Sequence, residues 1–427
     1  IDLHFYKYLA TLMADFIPSS TLTQSVPASL QSMPTGNETP NFLIRLTIGI
    51  IGMFAFLQVY SIQAILPIIR QDFMASETQA GMTVGATVLA IAIMSPFMGM
   101  LSDAVGRKNV IVASLLFLGL PTFMLGFSQS FAGVMFWRFI QGLAVPGITV
   151  VTIAYISEEF VGRAVSRVTA FYVSGTVLGG FLGRFLLGHL QEYIGWRYAF
   201  LVMGVITLLG MAWVAWRLPA SKRFVANKNL ASSLAMLASH AQNRYVVTAC
   251  LLGFCVLFSL VGCFTYINLY LADAPYHLSS ATLANIFAVY LIGVIVTPIA
   301  STLIGRYGAA RMVMVAVPIS MLGVVLTLSP NLWLIVVALT VMSCGVFVTQ
   351  SATITYIAVN VKEGRSLASG LYYMSYYIGG SLGAWVCGLA YTHGHWKMTA
   401  WVLLGVQCLA FLIAAFGLVK KPLPQKS

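Results

Sequence analysis

The stretch YVSGTVLGGFLGRFLLGHLQEYIGWR, residues 172–197, recurs later in the chain. Shifted by 200 residues and without a gap, Tyr172, Gly179, Gly180, Leu182, Gly183, Gly188 and Trp196 meet Tyr372, Gly379, Gly380, Leu382, Gly383, Gly388 and Trp396, and Arg197 meets Lys397. Seven identities in 26 positions, set in runs that are otherwise apolar, argue for a duplicated unit. Small residues one turn apart let helices approach closely, so the glycines read as scaffold. One residue breaks the repeat. Arg184 is answered by Ala384, so the scaffold itself does not call for a cation there.

Composition places both copies in a bilayer. Of 427 residues, 59% are hydrophobic and 8% are charged, against about 25% charged in a soluble domain. About twelve apolar segments of spanning length lie near 44–69, 79–101, 109–128, 132–157, 167–190, 197–217, 245–271, 281–304, 311–329, 332–357, 367–391 and 398–419. Most are long enough to cross ~30 Å of hydrocarbon as helix. The fold class predicted is an all-α polytopic membrane protein of twelve transmembrane helices, arranged as two parallel six-helix bundles related by pseudo-two-fold symmetry. Such parallel repeats are a transporter architecture.

The net charge of +12 is no nucleic-acid signal, because of where the charges fall. Arg107, Lys108, Arg163, Arg167, Lys222, Arg223, Lys228, Arg244, Arg306, Arg311, Lys362, Arg365, Lys420, Lys421 and Lys426 lie on one set of connections, and little beyond Arg70, Arg197 and Lys397 on the other. Lys and Arg favour the cytoplasmic side. Both termini are therefore expected in the cytoplasm, in a bacterial-type inner membrane. The expected divisions are a cytoplasmic N-terminal segment 1–41, a six-helix bundle 42–218, a cytoplasmic linker 219–243, a second bundle 244–419 and a tail 420–427. Residues 18–40 are Pro/Ser/Thr-rich, and residues 1–17 have the pattern of an amphipathic surface helix. The six cysteines all fall in apolar segments and read as small packing residues.

The connection after predicted helix 2 is GMLSDAVGRK, residues 99–108. It resembles the signature loop of the major facilitator superfamily, G-x-L-x-D-x-x-G-R-K, with Gly99, Leu101, Asp103, Gly106, Arg107 and Lys108 in place and Ala104 where an arginine is common. The resemblance covers roughly residues 42–420. The corresponding loop of the second half, STLIGRYGAAR (301–311), keeps Gly308 and lacks the aspartate. A physical role for the loop is gating. Helix 11 starts near Ser366, so its positive dipole end faces the loop and suits Asp103. Gly99 permits close approach, and Arg107 is in reach of Glu158 or Glu159. WRFIQG (137–142) looks like the R-x-x-Q-G element of drug-efflux members, through Arg138, Gln141 and Gly142. GGFLGR (179–184) resembles the acriflavine-sensitivity and arabinose-efflux-like drug:proton antiporter branch.

Arg138 and Arg184 are expected at similar depth, and a guanidinium there needs a partner or a cavity. None of the eleven acids falls at the middle of a predicted helix. Asp72, His189 and Asp273 are the candidates for proton coupling, and Asp72 or Glu192 the candidate partners for the arginines. Arg138, Arg184, Gln141, Gln58, Tyr266, Asn268, Gln350, Tyr356 and Tyr376 are candidates for lining a substrate cavity; the resemblance implies that helices 1, 4, 7 and 10 line it. No cofactor and no metal is expected. HGH (393–395) has no third ligand nearby in sequence, and there is no P-loop.

The reading is a monomeric secondary active transporter exporting small amphiphilic or anionic organic molecules by alternating access. Its partners are the substrate, the lipid bilayer and, by resemblance, protons. The alternatives are proton-coupled uptake of a small organic anion and a non-transporting membrane sensor. A membrane-embedded enzyme lacks a recognisable catalytic group near the midplane.

Overall fold

In the computed structural model, residues 41–161, 163–221, 238–361 and 365–418 are described, and all belong to one compact unit. The expected N-terminal segment (except residue 41), most of the linker and the tail 420–427 lie outside the described residues. Ten helices are long and apolar enough to span a bilayer. Two of them, Ala164–Arg217 and Leu367–Gly417, have 54 and 51 residues. At 1.5 Å per residue each would run for more than ~75 Å, over twice the hydrocarbon thickness. Each is broken, one at Gly195 (φ 76°), the other at Gly394 and His395. Two double helices among ten give twelve spans. The sequence predicts loops at these two places; the chain instead turns in a one- or two-residue kink, through a positive φ at Gly195 in the first and at His395 (φ 50°) in the second.

The spans are α1 (Phe42–Asp72), α2 (Glu77–Val105), α3 (Arg107–Leu125), α4 (Phe131–Glu159), α5 (164–194), α6 (196–217), α7 (Arg244–Ala272), α8 (Ser280–Tyr307), α9 (Ala309–Leu326), α10 (Leu332–Asn360), α11 (367–393) and α12 (396–417). Their starts carry side-chain caps where the sequence supplies them. Ser76 forms a reciprocal capping box with Gln79, and Ser130, Asn243, Ser279 and Asn331 accept from the first free amides of α4, α7, α8 and α10. Gly106 (φ 103°) and Gly308 (φ 84°) occupy the same place in the two halves, between α2 and α3 and between α8 and α9. An L residue is strained at that φ, which explains why this part of the signature survives in both loops.

The repeated glycines build the seam between α5 and α1. A Cβ on Gly179 or Gly183 would run into the backbone of Met53 or Leu57. In the second half Gly379 and Gly383 stand in the same way against Phe254 and Phe258 of α7. Gly188 and Gly388 do something different. They bring the halves together, Gly188 against Ser280 and Ala284 of α8, and Gly388 against Thr78 of α2 and Tyr266 of α7.

The end of the molecule bearing Arg107, Arg244 and Arg306 is called here the basic end. Hydrogen bonds and ion pairs linking the halves cluster toward the opposite end. Among the described residues they are Gln63 to Thr265 (3.0 Å), Asn268 to the Gln63 carbonyl, Thr78 with Thr392 (3.2 Å), Arg70 to Asp273 (2.7 and 3.1 Å) and the Ala281 amide to Glu192 (2.9 Å). Toward the basic end Gly99, Gly305 and Gly370 have no atom within 4 Å of a Cβ position. The halves are closed at the opposite end and looser at the basic end.

Candidate functional site

The site grows from a break in α1. Its α-helical part Phe42–Val59 gives way to a 3-10 segment, Ser61–Ile65, before Leu66–Asp72. Carbonyls at a helix end lack their own amides and carry partial negative charge. Arg138 on α4 fills that need. Its guanidinium is 0% exposed and donates to the carbonyls of Gln58 (2.8 Å) and Val59, to the Thr83 carbonyl (3.1 Å) and to Gln141 Oε1 (2.7 Å). Gln141 passes the chain on to Thr122 Oγ1 at 2.6 Å. Arg138 thus ties α1, α2, α3 and α4 together, with its donors directed at neighbouring helices.

Pro67 has no amide, so no α-helical i+4 bond can reach the Gln63 carbonyl. Asn268 of α7 supplies a donor from the other half. The Gln63 side chain works in both directions. Its Oε1 accepts from Arg184 Nε (2.9 Å) and Nη2 (2.8 Å), and its Nε2 donates to Thr265 Oγ1 (3.0 Å).

Arg184 is 1% exposed. Among the described residues its other acceptor is on its own helix, the Gly180 carbonyl. Three rings surround the guanidinium: Tyr60 of α1 at 4.8 Å, and Phe287 and Tyr290 of α8 at 4.4 and 4.5 Å. Both ring suppliers are 3-10 interruptions or their edges, Ser61–Ile65 and Phe287–Leu291, a local irregularity often found where a helix does work. Cation–π contact in a desolvated place is worth ~2 kcal/mol or more, which offsets part of the burial of the charge. Among the described residues no carboxylate forms an ion pair with Arg184 or Arg138.

Asp72 accepts from Trp196 Nε1 (2.7 Å) and Arg197 (3.2 Å) and anchors the kink between α5 and α6. Glu192 accepts the Ala281 amide. Neither reaches a buried arginine. Asp273 receives Arg70 bidentately, and Glu77 stands 3.7 Å from the same guanidinium. His189 is half-buried, with Nδ1 on the Phe185 carbonyl (2.9 Å) and its ring against Phe185.

Gln58 turns away from Arg184 and donates to Thr207 Oγ1 on α6 at 2.9 Å. Tyr266 donates to the Ala384 carbonyl of α11, at the position that answers Arg184 in the repeat. Asn268 binds the Gln63 carbonyl, as above. Tyr376 stacks among Tyr372, Tyr373 and Tyr377, with centroids 5.3 to 6.3 Å away. Tyr356 packs on Tyr245 toward the basic end (6.0 Å), and Gln350 is half-buried on α10. The structure brings Arg184 together with Asn268 through Gln63, and Arg138 together with Gln141 and the Gln58 backbone. Gln350, Tyr356 and Tyr376 join neither group.

At the basic end Arg107 joins Asp103, Glu158 and Ser102 in one cluster. Asp103 is paired within its own half. A Cβ at Gly99 would meet no atom within 4 Å, so the close approach expected of it is absent in this conformation.

Gln63, Arg70, Tyr60, Thr265, Phe287 and Tyr290 were not singled out by sequence. Pro67 was the available signal for Gln63, since it removes the α-helical donor of that carbonyl.

The Major Facilitator Superfamily model matches residues 48–284 and 273–427. The chain is 29% identical over 392 residues to the inner membrane transport protein YnfM of Escherichia coli K12, covering 91% of this chain and 93% of that one. It is 25% identical over 279 residues to the chloramphenicol resistance protein CraA of Acinetobacter baumannii, covering 64% and 66%. Among solved structures, the nucleoside transporter NupG superposes with a TM-score of 0.72 at 15% identity, over 87% of this chain and 99% of that one, a likeness of fold. The duplicated six-helix halves, the signature loop and this match together place the chain in the Major Facilitator Superfamily: it is an integral membrane secondary transporter, not an enzyme.

Proposed function

We propose that this transporter exports small amphiphilic or anionic organic molecules in exchange for protons, and that Arg184 is the contact for the substrate's negative group. The observation that carries the reading is a buried guanidinium whose partners, among the described residues, are an amide oxygen, a backbone carbonyl and three rings. A permanent charge kept in a low-dielectric interior without a counter-ion is matched best by an anion that visits. The basic end is assigned to the cytoplasm by its Lys and Arg excess, so this conformation faces inward. The bundles 42–218 and 244–419 rock against each other. The aromatic richness around Arg184, with Tyr376 and its neighbours, suits a ligand with an apolar body.

Asp273 is the best-supported proton site of the three candidates. It is the one whose partner, Arg70, comes from the other half, so its protonation would weaken the closure at the outer end. Asp72 and His189 are engaged within the first half. The resemblance to a chloramphenicol resistance protein supports export. Uptake of an organic anion uses the same Arg184 chemistry and differs in which gradient is imposed.

The test is counterflow in proteoliposomes with a panel of acidic and neutral amphiphiles, with and without an imposed pH gradient. Acidic compounds are expected to move, and faster with the gradient. Movement of neutral compounds alone would overturn the anion reading.

A further inference from the structure

Arg184 meets in Gln63 an oxygen placed as a ligand's would be. Oε1 takes the Nε and Nη2 protons, the same edge of the guanidinium that a carboxylate grips in a bidentate pair. The same side chain donates to Thr265 of the other half, and the backbone oxygen beside it holds Asn268. Gln63 is 1% exposed, Thr265 0% and Asn268 3%, so none of these bonds is exchanged freely with water.

We infer that Gln63 is the internal competitor of the substrate anion, and that its displacement is how binding loosens the outer closure. The inference rests on the reading of Arg184 given above. An anion arriving from the basic end takes the Nε–Nη2 edge and evicts Oε1. The amide leaves, and its bond to Thr265 goes with it. One of the links between α1 and α7 is lost at the moment the charge is satisfied. The anion therefore favours the state in which the outer end opens, which is what a differential interaction must do to shift the population. The anion leaves through the open outer end, and Gln63 returns to Arg184 as that end closes. An amide serves this purpose because it is neutral. It is a good enough acceptor to hold the empty site and a weaker one than a carboxylate.

The experiment compares Gln63→Glu, Gln63→Ala and Arg184→Ala with wild type, using benzoate as the anion. Equilibrium binding is measured in detergent. In parallel a membrane-impermeant maleimide is applied to Thr78→Cys versions of each protein, read against the same proteins without that cysteine. Gln63→Glu installs a tethered carboxylate, so benzoate should bind at least about tenfold more weakly, and labelling at the outer end should slow. Gln63→Ala removes the competitor and the link, so benzoate should bind more tightly and labelling should quicken. Opposite shifts in the two variants are the signature. If both leave benzoate binding unchanged, or move it the same way, while Arg184→Ala abolishes it, the Gln63 inference is overturned and the Arg184 reading stands. If wild type and Arg184→Ala behave alike toward benzoate, the Arg184 reading fails, and equal labelling rates in the two Gln63 variants then overturn this inference as well.

Discussion

Gly179 and Gly180 are neighbours on α5, and substituting each by alanine should have opposite effects. A Cβ on Gly179 would stand 2.8 Å from both the carbonyl carbon and the Cα of Met53, and nearer still to its oxygen. Carbon atoms in good contact lie about 3.5–4.0 Å apart. Helix α5 must therefore retreat by roughly 0.7 Å or more from α1, and the obstacle is backbone, which cannot swing aside. Such overpacking costs ~1–3 kcal/mol, and the rigid obstacle puts this site at the upper end. Replacing a mid-helix glycine by alanine returns about 1 kcal/mol of propensity. The net loss for Gly179→Ala is about 2 kcal/mol. At Gly180 the only atom near a Cβ is Arg184 Nη1 at 3.8 Å, an ordinary contact. Gly180→Ala should be neutral or stabilising by up to ~1 kcal/mol. Thermal unfolding in detergent, followed by tryptophan fluorescence, should separate the two variants by several degrees. Gly383→Ala should behave like Gly179→Ala, because its Cβ would stand 2.8 Å from the Phe258 Cα. Equal melting temperatures for Gly179→Ala and Gly180→Ala would refute the assignment of α5 to a close backbone seam.

Arg138→Met should cost about 2–6 kcal/mol, since the Val59 carbonyl and Gln141 Oε1 would each be left buried without this donor. The melting temperature should fall even in variants that still bind an anion, and an unchanged value would contradict the stapling role. Asp273→Asn keeps the shape and removes the charge facing Arg70. Maleimide labelling of Thr78→Cys at the outer end should then quicken, and the pH-gradient-driven component of transport should shrink while counterflow persists. Unchanged labelling would show that this pair does not hold the outer end closed.

Close packing by α5 was legible because glycine spacing along one helix is a local property, and the 200-residue repeat pointed to its twin; that α1 is its partner was not. Arg184 was legible as the exception within that repeat. Its surroundings were not. Phe287 and Tyr290 come from α8, far along the chain, and no periodicity in α5 says which rings will close on it. Gln58 and Gln63 both lie in an apolar run, and five residues place them about 140° apart on an ideal helix. Nothing in the run shows where the 3-10 break falls, so sequence selected Gln58 for the cavity, whereas Gln63 faces Arg184. The partner of Arg138 was missed for a related reason. Charge alone points to a carboxylate, and the acceptors are instead Gln141 and backbone carbonyls, two of them set free by the break in α1. Arg107 and Glu158 were found because both stand at helix ends on one face, where signature and sidedness converge.

The central claim is that Arg184 receives the substrate's negative group. The most direct measurement is the affinity of the most strongly transported acidic compound for wild type, Arg184→Lys and Arg184→Ala, each shown to be folded by its melting curve. Lysine keeps the charge and loses the two-pronged edge, so an intermediate affinity is expected. Alanine should weaken binding by about 10- to 100-fold, the value of a charge-assisted bidentate contact. Wild-type affinity in folded Arg184→Ala would contradict the account and leave Arg184 as a structural cation stacked among rings.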